Sequence, residues 1–571
     1  MEDKIKNLIK DALKNLGIEV SNIALEHPTD LRMGDCSTNI AMAAAKSMKT
    51  NPVELAGKIV VEVLRLNLDK SIEKVEVAGN GFINFHLSRK FFAESVEEAV
   101  NAGDGVGKNN VLVGKKMMVE YTDPNPFKPF HIGHLMTNAI GESIARILEH
   151  SGAEVARANY QGDVGLHVAK AIYGLFKDEK LQERVGSHNL QAANIGKAYV
   201  SGASAHENDE KAKKEIDEIN KKVYDRSDEK INEIYDWGFT VTMEAFEDLY
   251  KILGTKFDFY FPESQMAPVG EAIVRAHVGE VFEESDGAIV FKAEKHDPKL
   301  HTRVFITSKG LPTYETKEFG LTEEKFKTDP KMDLSIVVTA NEQADYMKVV
   351  AKAISLISPE HEKKMLHITH GMMRLEGGKM SSRKGNVVTG ESLIRDTIAL
   401  IGEKVKERDW EETEKKRTAE IIGVAAIKYS ILRSKAGSDI VYNVDESIST
   451  EGDSGPYLQY SFARANAVLE KAQKENILPD FSVLPAEIFE VEKLLYRFGE
   501  VVSRSAHEYE PHHVATYLVE LARAFNSFYG NNLIVSKEDD TSPYKIAMTY
   551  AFSFVMKTGL HLLGIVAPKK M

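Results

Sequence analysis

One cysteine, Cys36, occurs in 571 residues. That excludes an intramolecular disulfide framework and a cysteine-built structural zinc site, and makes a reducing compartment, the cytoplasm, the expectation. A long uncharged apolar run is also missing. The most hydrophobic stretch, MTYAFSFVMKTGLHLLGIVA (548–567), is interrupted by Lys557 and His561, so a buried terminal helix is expected there and no membrane span. The N-terminus, MEDKIKNLIKDALKNLG, is charged throughout where a signal peptide has an apolar core. No internal repeat or low-complexity tract occurs. Nor is there a basic excess: 73 Lys and Arg against 86 Asp and Glu leave a formal charge of -13, so a nucleic-acid partner has to be met by local basic patches.

What is present suits a globular protein. With 43% apolar and 28% charged residues, the chain can bury cores in roughly three or four domains. Up to about residue 100, helical patterns alternate with strand-like runs such as KVEVAGNGFINFHLS (74–88), an α+β unit, and the glycine-rich NAGDGVGKNN (101–110) reads as a linker. KKMMVEY (115–121) reads as a buried strand. Apolar residues then recur at helical spacing from His131 to Gly152, and AEVARANY (153–160) returns to strand character. Strand, helix and strand in this order predict a βαβ unit, and with it a parallel sheet whose ligand crevice lies at the strand carboxyl ends. Residues 206–236 form a charged helical segment. Further strands are expected in GAIVFKA (287–293), TRVFITS (302–308), DLSIVVTA (333–340) and MLHITHGMMRL (365–375), and beyond about 410 the pattern is almost wholly helical.

Two stretches carry chemistry. In NPFKPFHIGHLMTNAIG (125–141), His131 and His134 fall on one side of the first helical turn after a strand, where unpaired N–H groups and the helix dipole favour an anion. Pro126 and Pro129 delay the helix, and Gly133 leaves room for a flat ligand against the backbone. Neutral imidazoles there can donate to nucleotide phosphates. An isolated His-x-x-His reads more readily as a capping or surface pair; the strand before it and the second stretch reverse that in favour of phosphate. That second stretch, GGKMSSRKGNVV (377–388), is a glycine-flanked basic loop in which Lys379, Arg383 and Lys384 alternate with Ser381 and Ser382, suited to closing over a polyphosphate leaving group.

HIGH followed by a KMSKS-like loop resembles class I aminoacyl-tRNA synthetases. Within them the chain is similar to the arginyl-tRNA synthetase family along essentially its whole length: HPTDLRMGDCSTNIAMAAAK (27–46), GFINFHL (81–87), EYTDPNPFKPFHIGH (120–134), NYQGDVGLH (159–167), TYETKE (313–318) and EGDSGPYLQYSFAR (451–464). The resemblance implies an α/β fold: an N-terminal α+β tRNA-elbow-binding domain over 1–105, a Rossmann-type catalytic domain over 106–410 with an insertion at about 170–260, and an α-helical anticodon-binding domain over 411–571. It implies ATP with Mg2+, L-arginine and tRNA(Arg) as partners, no structural metal, a monomer, and activation of arginine that itself requires tRNA.

Residue roles follow from the same resemblance. His131, Gly133, His134, Lys379, Met380, Ser381 and Ser382 would bind ATP. Lys128, Lys379 and Lys384 would share the stabilisation of phosphate charge, because KMSSR here replaces KMSKS. Glu120, Asn125 and Gln343 would surround the α-groups and backbone side of the amino acid, and Tyr314 with Glu318 would face the guanidinium, which demands planar acidic acceptors. Glu318 stands where the family more often has aspartate, so Asp123 is a second candidate acid. Tyr457, Tyr460, Arg464, Tyr529 and Met571 would meet the anticodon region, and Phe82 and Asn84 the tRNA elbow. Two alternatives stay open: a class I synthetase for another amino acid, and a non-catalytic tRNA-binding relative.

Overall fold

The computed structural model describes residues 1–20, 22–66, 68–376 and 388–571. Its centre is a five-stranded, all-parallel sheet. Strands β1 (Lys116–Glu120), β2 (Glu154–Gln161), β3 (Phe259–Pro262), β4 (Leu334–Ala340) and β5 (Met365–His370) lie in the order β5-β4-β1-β2-β3. The chain moves outward through β2 and β3, then starts again on the other side of β1 with β4. The carboxyl ends of β1 and β4 therefore flank a topological switch point, the usual ligand crevice of such sheets. The middle of β1, Met117–Val119, is a continuous apolar run, as burial on both faces requires.

Helix α1 (Ile132–His150) follows β1 and is buried almost all round. Its Gly141 lets the strand approach: a Cβ there would lie 2.3 Å from the Tyr121 ring. Four helices over 166–253 form the insertion between β2 and β3, with their own core around Val168, Ile172, Ile195, Ile216 and Ile234. The expected strands divide: Ala288–Phe291 and Arg303–Ile306 belong to a separate antiparallel sheet with Glu283–Ser285, while β4 and β5 join the central one.

The N-terminal unit packs helices on a three-stranded antiparallel sheet around Ile5, Ile59 and Phe85. Beyond Gly390 the chain is helical except for a short strand, Ile440–Tyr442. The apolar stretch near the C-terminus is helix Ser542–Leu562, buried on most of its surface among its neighbours; no helix among the described residues is long and apolar enough to cross a membrane. The expected linker at 101–110 is a correction. The helix Arg89–Ala102 runs into it, Lys557 pairs with Asp104 at 2.7 Å, and Gly107 lies so close to the Phe498 ring that a Cβ would come within 2.6 Å. At Gly107 the absent side chain serves close packing; a Cβ at Gly103 or Gly105 would meet nothing nearer than 3.8 Å.

Candidate active site

Glu120 ends β1, and the next ten residues form a contorted loop. Thr122, Asp123 and Phe127 have φ of 79°, 46° and 67°, a left-handed conformation rare for such residues and costly for a β-branched one. The loop is held because Asp123 accepts from the Tyr160 N–H (2.8 Å) and Asn138 donates to the Thr122 hydroxyl (3.0 Å). It delivers His131 as the N-cap of α1.

The two histidines cap one another. His131 Nδ1 accepts from the His134 N–H and His134 Nδ1 from the His131 N–H, each at 3.3 Å. Their rings stack with centroids 3.4 Å apart. Because both Nδ1 atoms are acceptors, each neutral ring carries its proton on Nε2, which is free to donate to a ligand. Burial, then the Lys128 charge, pushes His131 down to about 4. Burial and the neighbouring His131 hold His134 well below the ordinary range. The capping reading is what the geometry shows, and it leaves each Nε2 as the ring's donor. A Cβ at Gly133 would lie 2.9 Å from the His131 ring, so the glycine makes room for that ring.

Lys128 leans toward the insertion, 5.4 Å above the Tyr199 ring, and burial followed by Lys170 lowers its proton affinity. Lys379, Met380, Ser381, Ser382, Arg383 and Lys384 lie outside the described residues. The chain resumes against the histidines, where the Gly390 N–H donates to the Phe130 carbonyl at 2.8 Å.

Beside this lies a chamber of acids. Helix α2 (Tyr314–Thr328) presents Tyr314, 58% exposed, at its entrance and Glu318, 9% exposed, one turn further in. Glu120 is 2% exposed. Burial, then the Glu120 charge, pushes Glu318 up to about 8, and the same two causes raise Asp123. Tyr346 is the hydroxyl donor to Glu318, at 3.4 Å. Glu120, expected by the α-groups of the amino acid, shares the interior with Glu318. Asn125 lies over Gly162, where a Cβ would come within 2.1 Å of its amide oxygen, and Gln343 is exposed just past the end of β4.

Several residues here escaped sequence reasoning. Lys317 pairs with Glu263 at 2.6 Å, both nearly inaccessible. Burial opposes the charge on Lys317, but Glu263 and Tyr224 outweigh it and raise its proton affinity. Lys325 forms an ion pair with Glu120. Asp163 accepts from the Tyr235 hydroxyl (2.7 Å) and the Ser264 N–H (2.8 Å), tying the insertion to the site. A helical-wheel view of TYETKEFGLTEEK would have placed Lys325 on the face of Tyr314 and Glu318.

The tRNA candidates fall in two places. In the C-terminal helices, Arg464 lies between the exposed rings of Tyr460 (4.8 Å) and Tyr529 (5.0 Å). Tyr457 accepts from Asn526 at 3.1 Å and is half-buried. Met571 packs against an apolar cluster around Ile401 and Ile422. In the N-terminal unit Phe82 is exposed, whereas Asn84 is buried, accepting from Ser37 and donating to the Met33 carbonyl, both at 2.6 Å.

Comparisons with known proteins cover the whole chain. Residues 3–87 match the arginyl tRNA synthetase N-terminal domain, 98–444 the domain described as tRNA synthetases class I (R), catalytic, and 458–571 the DALR anticodon binding domain. The arginine--tRNA ligase of Halothermothrix orenii is 30% identical over 580 residues, 100% of this chain and 99% of that protein. That of Clostridium perfringens is also 30% identical over 580 residues, covering 99% and 100%. The solved arginyl-tRNA synthetase of Thermus thermophilus shares the fold, with a TM-score of 0.81 at 24% identity over 100% of both chains.

Proposed function

Because the chain belongs to the arginyl-tRNA synthetase family and has the activity of an ATP-dependent arginine–tRNA ligase, we propose that its buried acids read the guanidinium of L-arginine while the paired histidines hold ATP. The observation that carries this reading is the acid cluster of buried Glu120 and Glu318 with Asp123, on the loop that leads from β1 to the His131 N-cap. Buried carboxyls without enough cations call for a cationic ligand.

Arginine binds with its side chain inward. Glu318 and Glu120 accept from the planar guanidinium, with Tyr314 at the entrance and Asp123 adding negative charge; Asn125 and Gln343 meet the α-groups. The arginine carboxylate, already ionised, attacks the α-phosphorus of ATP and pyrophosphate leaves, a step that needs alignment and charge stabilisation more than acid or base catalysis. His131 and His134 donate to the phosphate oxygens from one side; Lys128, Lys379 and Lys384, with Gly133, Met380, Ser381 and Ser382, serve from the loop side. Mg2+ would arrive on the ATP phosphates, the usual mode for an ion that keeps most of its waters. A terminal ribose hydroxyl of tRNA(Arg) then attacks the adenylate carbonyl, releasing AMP.

Anticodon bases would stack on Tyr460 and Tyr529, with Tyr457, Arg464 and Met571 nearby, and Phe82 would meet the elbow, with Asn84 shaping its strand. The protein acts as a monomer in the cytoplasm. Pyrophosphate exchange with arginine, with and without tRNA, tests this reading: exchange only when tRNA is present supports it in full. Exchange without tRNA removes the coupling, and none under either condition removes the reading.

A further inference from the structure

On helix α2 the acid chamber has a floor as well as an entrance. Tyr314, Glu318 and Lys325 follow at i, i+4 and i+11, one face of the helix, and at a rise of about 1.5 Å per residue Lys325 lies roughly 10 Å beyond Glu318 along the axis. Its ammonium meets the Glu120 carboxylate, and the two side chains are 4% and 3% exposed. Acidic and phenolic groups face this pair from three sides: Asp123 from the loop after β1, Tyr160 from β2, and Tyr346 from the helix after β4; Glu263, from the helix after β3, is held by Lys317 and acts on Glu318. Tyr160 has no partner for its buried hydroxyl.

Taken together, the geometry points to Lys325 as a positioning residue for arginine specificity, an internal cation that holds the Glu120 carboxylate in place so that the guanidinium completes a half-neutralised acid cluster. This rests on the proposed arginine chamber. Three carboxyls enclosed together cannot all ionise; without a cation the cluster takes up protons and offers hydroxyls to a guanidinium that needs carboxylates. Lys325 lowers the proton affinity of both Asp123 and Glu318.

The test is pyrophosphate exchange by the full-length protein with tRNA, between pH 6.5 and 9, for wild type, Lys325→Met and Lys325→Arg, with melting midpoints measured alongside. If the lost cation raises carboxyl proton affinity by about one unit, the arginine KM of Lys325→Met at pH 7 rises about tenfold and recovers as the pH is raised. The kcat at saturating arginine and the KM for ATP stay near wild type, and Lys325→Arg restores most of the arginine affinity. A wild-type KM and pH profile in Lys325→Met, even with a lowered melting midpoint, overturns the inference. If Lys325→Met does not fold, Lys325→Gln takes its place, and equal loss in the Gln and Arg variants likewise overturns it. Absence of arginine-dependent exchange in the wild-type protein would instead overturn the underlying reading of the chamber.

Discussion

The rings of His131 and His134 stack with centroids 3.4 Å apart, 24° from parallel, and each backbone N–H of the pair is capped by the other ring. One arrangement therefore starts helix α1 and leaves the Nε2 of each ring as its donor.

Replacing His134 by Asn removes one such donor. Loss of a preorganised donor costs about 10²–10³ in kcat, so pyrophosphate exchange should slow by that factor while the arginine KM changes little. Since burial holds His131 down to about 4 and His134 well below its ordinary range, neither ring should produce an acid limb in the kcat profile above pH 6. A limb near 6.5 abolished by these substitutions would show that the imidazoles work as cations.

Glu318 makes arginine binding pH-dependent. Free, it is protonated below about 8; paired with a guanidinium it ionises, so binding at pH 7 should release a proton and tighten as the pH rises toward 8.5. Calorimetry in buffers of different ionisation enthalpy reads this directly. The folding linkage has the opposite sense. The folded-state value lies above the unfolded 4.5, so the folded protein holds the extra proton and this group's contribution to stability falls as the pH rises from about 4.5 to 8. A binding enthalpy independent of the buffer would contradict the assignment.

At the boundary between N- and C-terminal units, Arg89 donates to Glu492 (3.0 Å) and to the Tyr544 hydroxyl (2.6 Å), and the Glu492 side chain is fully buried. Arg89→Met strands that carboxylate and should cost about 3–5 kcal/mol, seen as a lowered melting midpoint. Adding Glu492→Leu should recover much of the loss.

In the C-terminal helices, Arg464 holds Tyr460 and Tyr529 on either side of its guanidinium. If a base stacks on Tyr529, its replacement by Ala should weaken tRNA binding by about 1–3 kcal/mol, measured as Kd at fixed salt, while the melting midpoint holds. Unchanged affinity would mean the ring serves only Arg464.

The central strand Lys116–Glu120 and the helix after it could be read from the sequence because period and apolar content change sharply at the histidines. The sheet's strand order could not, since nothing local to β4 says that it pairs with β1. Glycines misled at 101–110, where Gly107 accommodates the Phe498 ring. Within the site, Tyr314 and Glu318 were reached through family resemblance, while Lys325 was overlooked: a lysine in TEEKFK looks like any solvated helix charge until the fold buries it on Glu120. Asn84 shows the converse, a polar residue in a resembling stretch whose amide the fold uses internally.

The most direct test is pyrophosphate exchange, with tRNA present, by the wild-type protein and Glu318→Gln for each of the twenty amino acids. Recognition by buried acids predicts exchange with arginine alone, a strongly raised arginine KM in the variant, and tRNA affinity nearly unchanged. Exchange with a different amino acid, or arginine kinetics unaltered by Glu318→Gln, would contradict it.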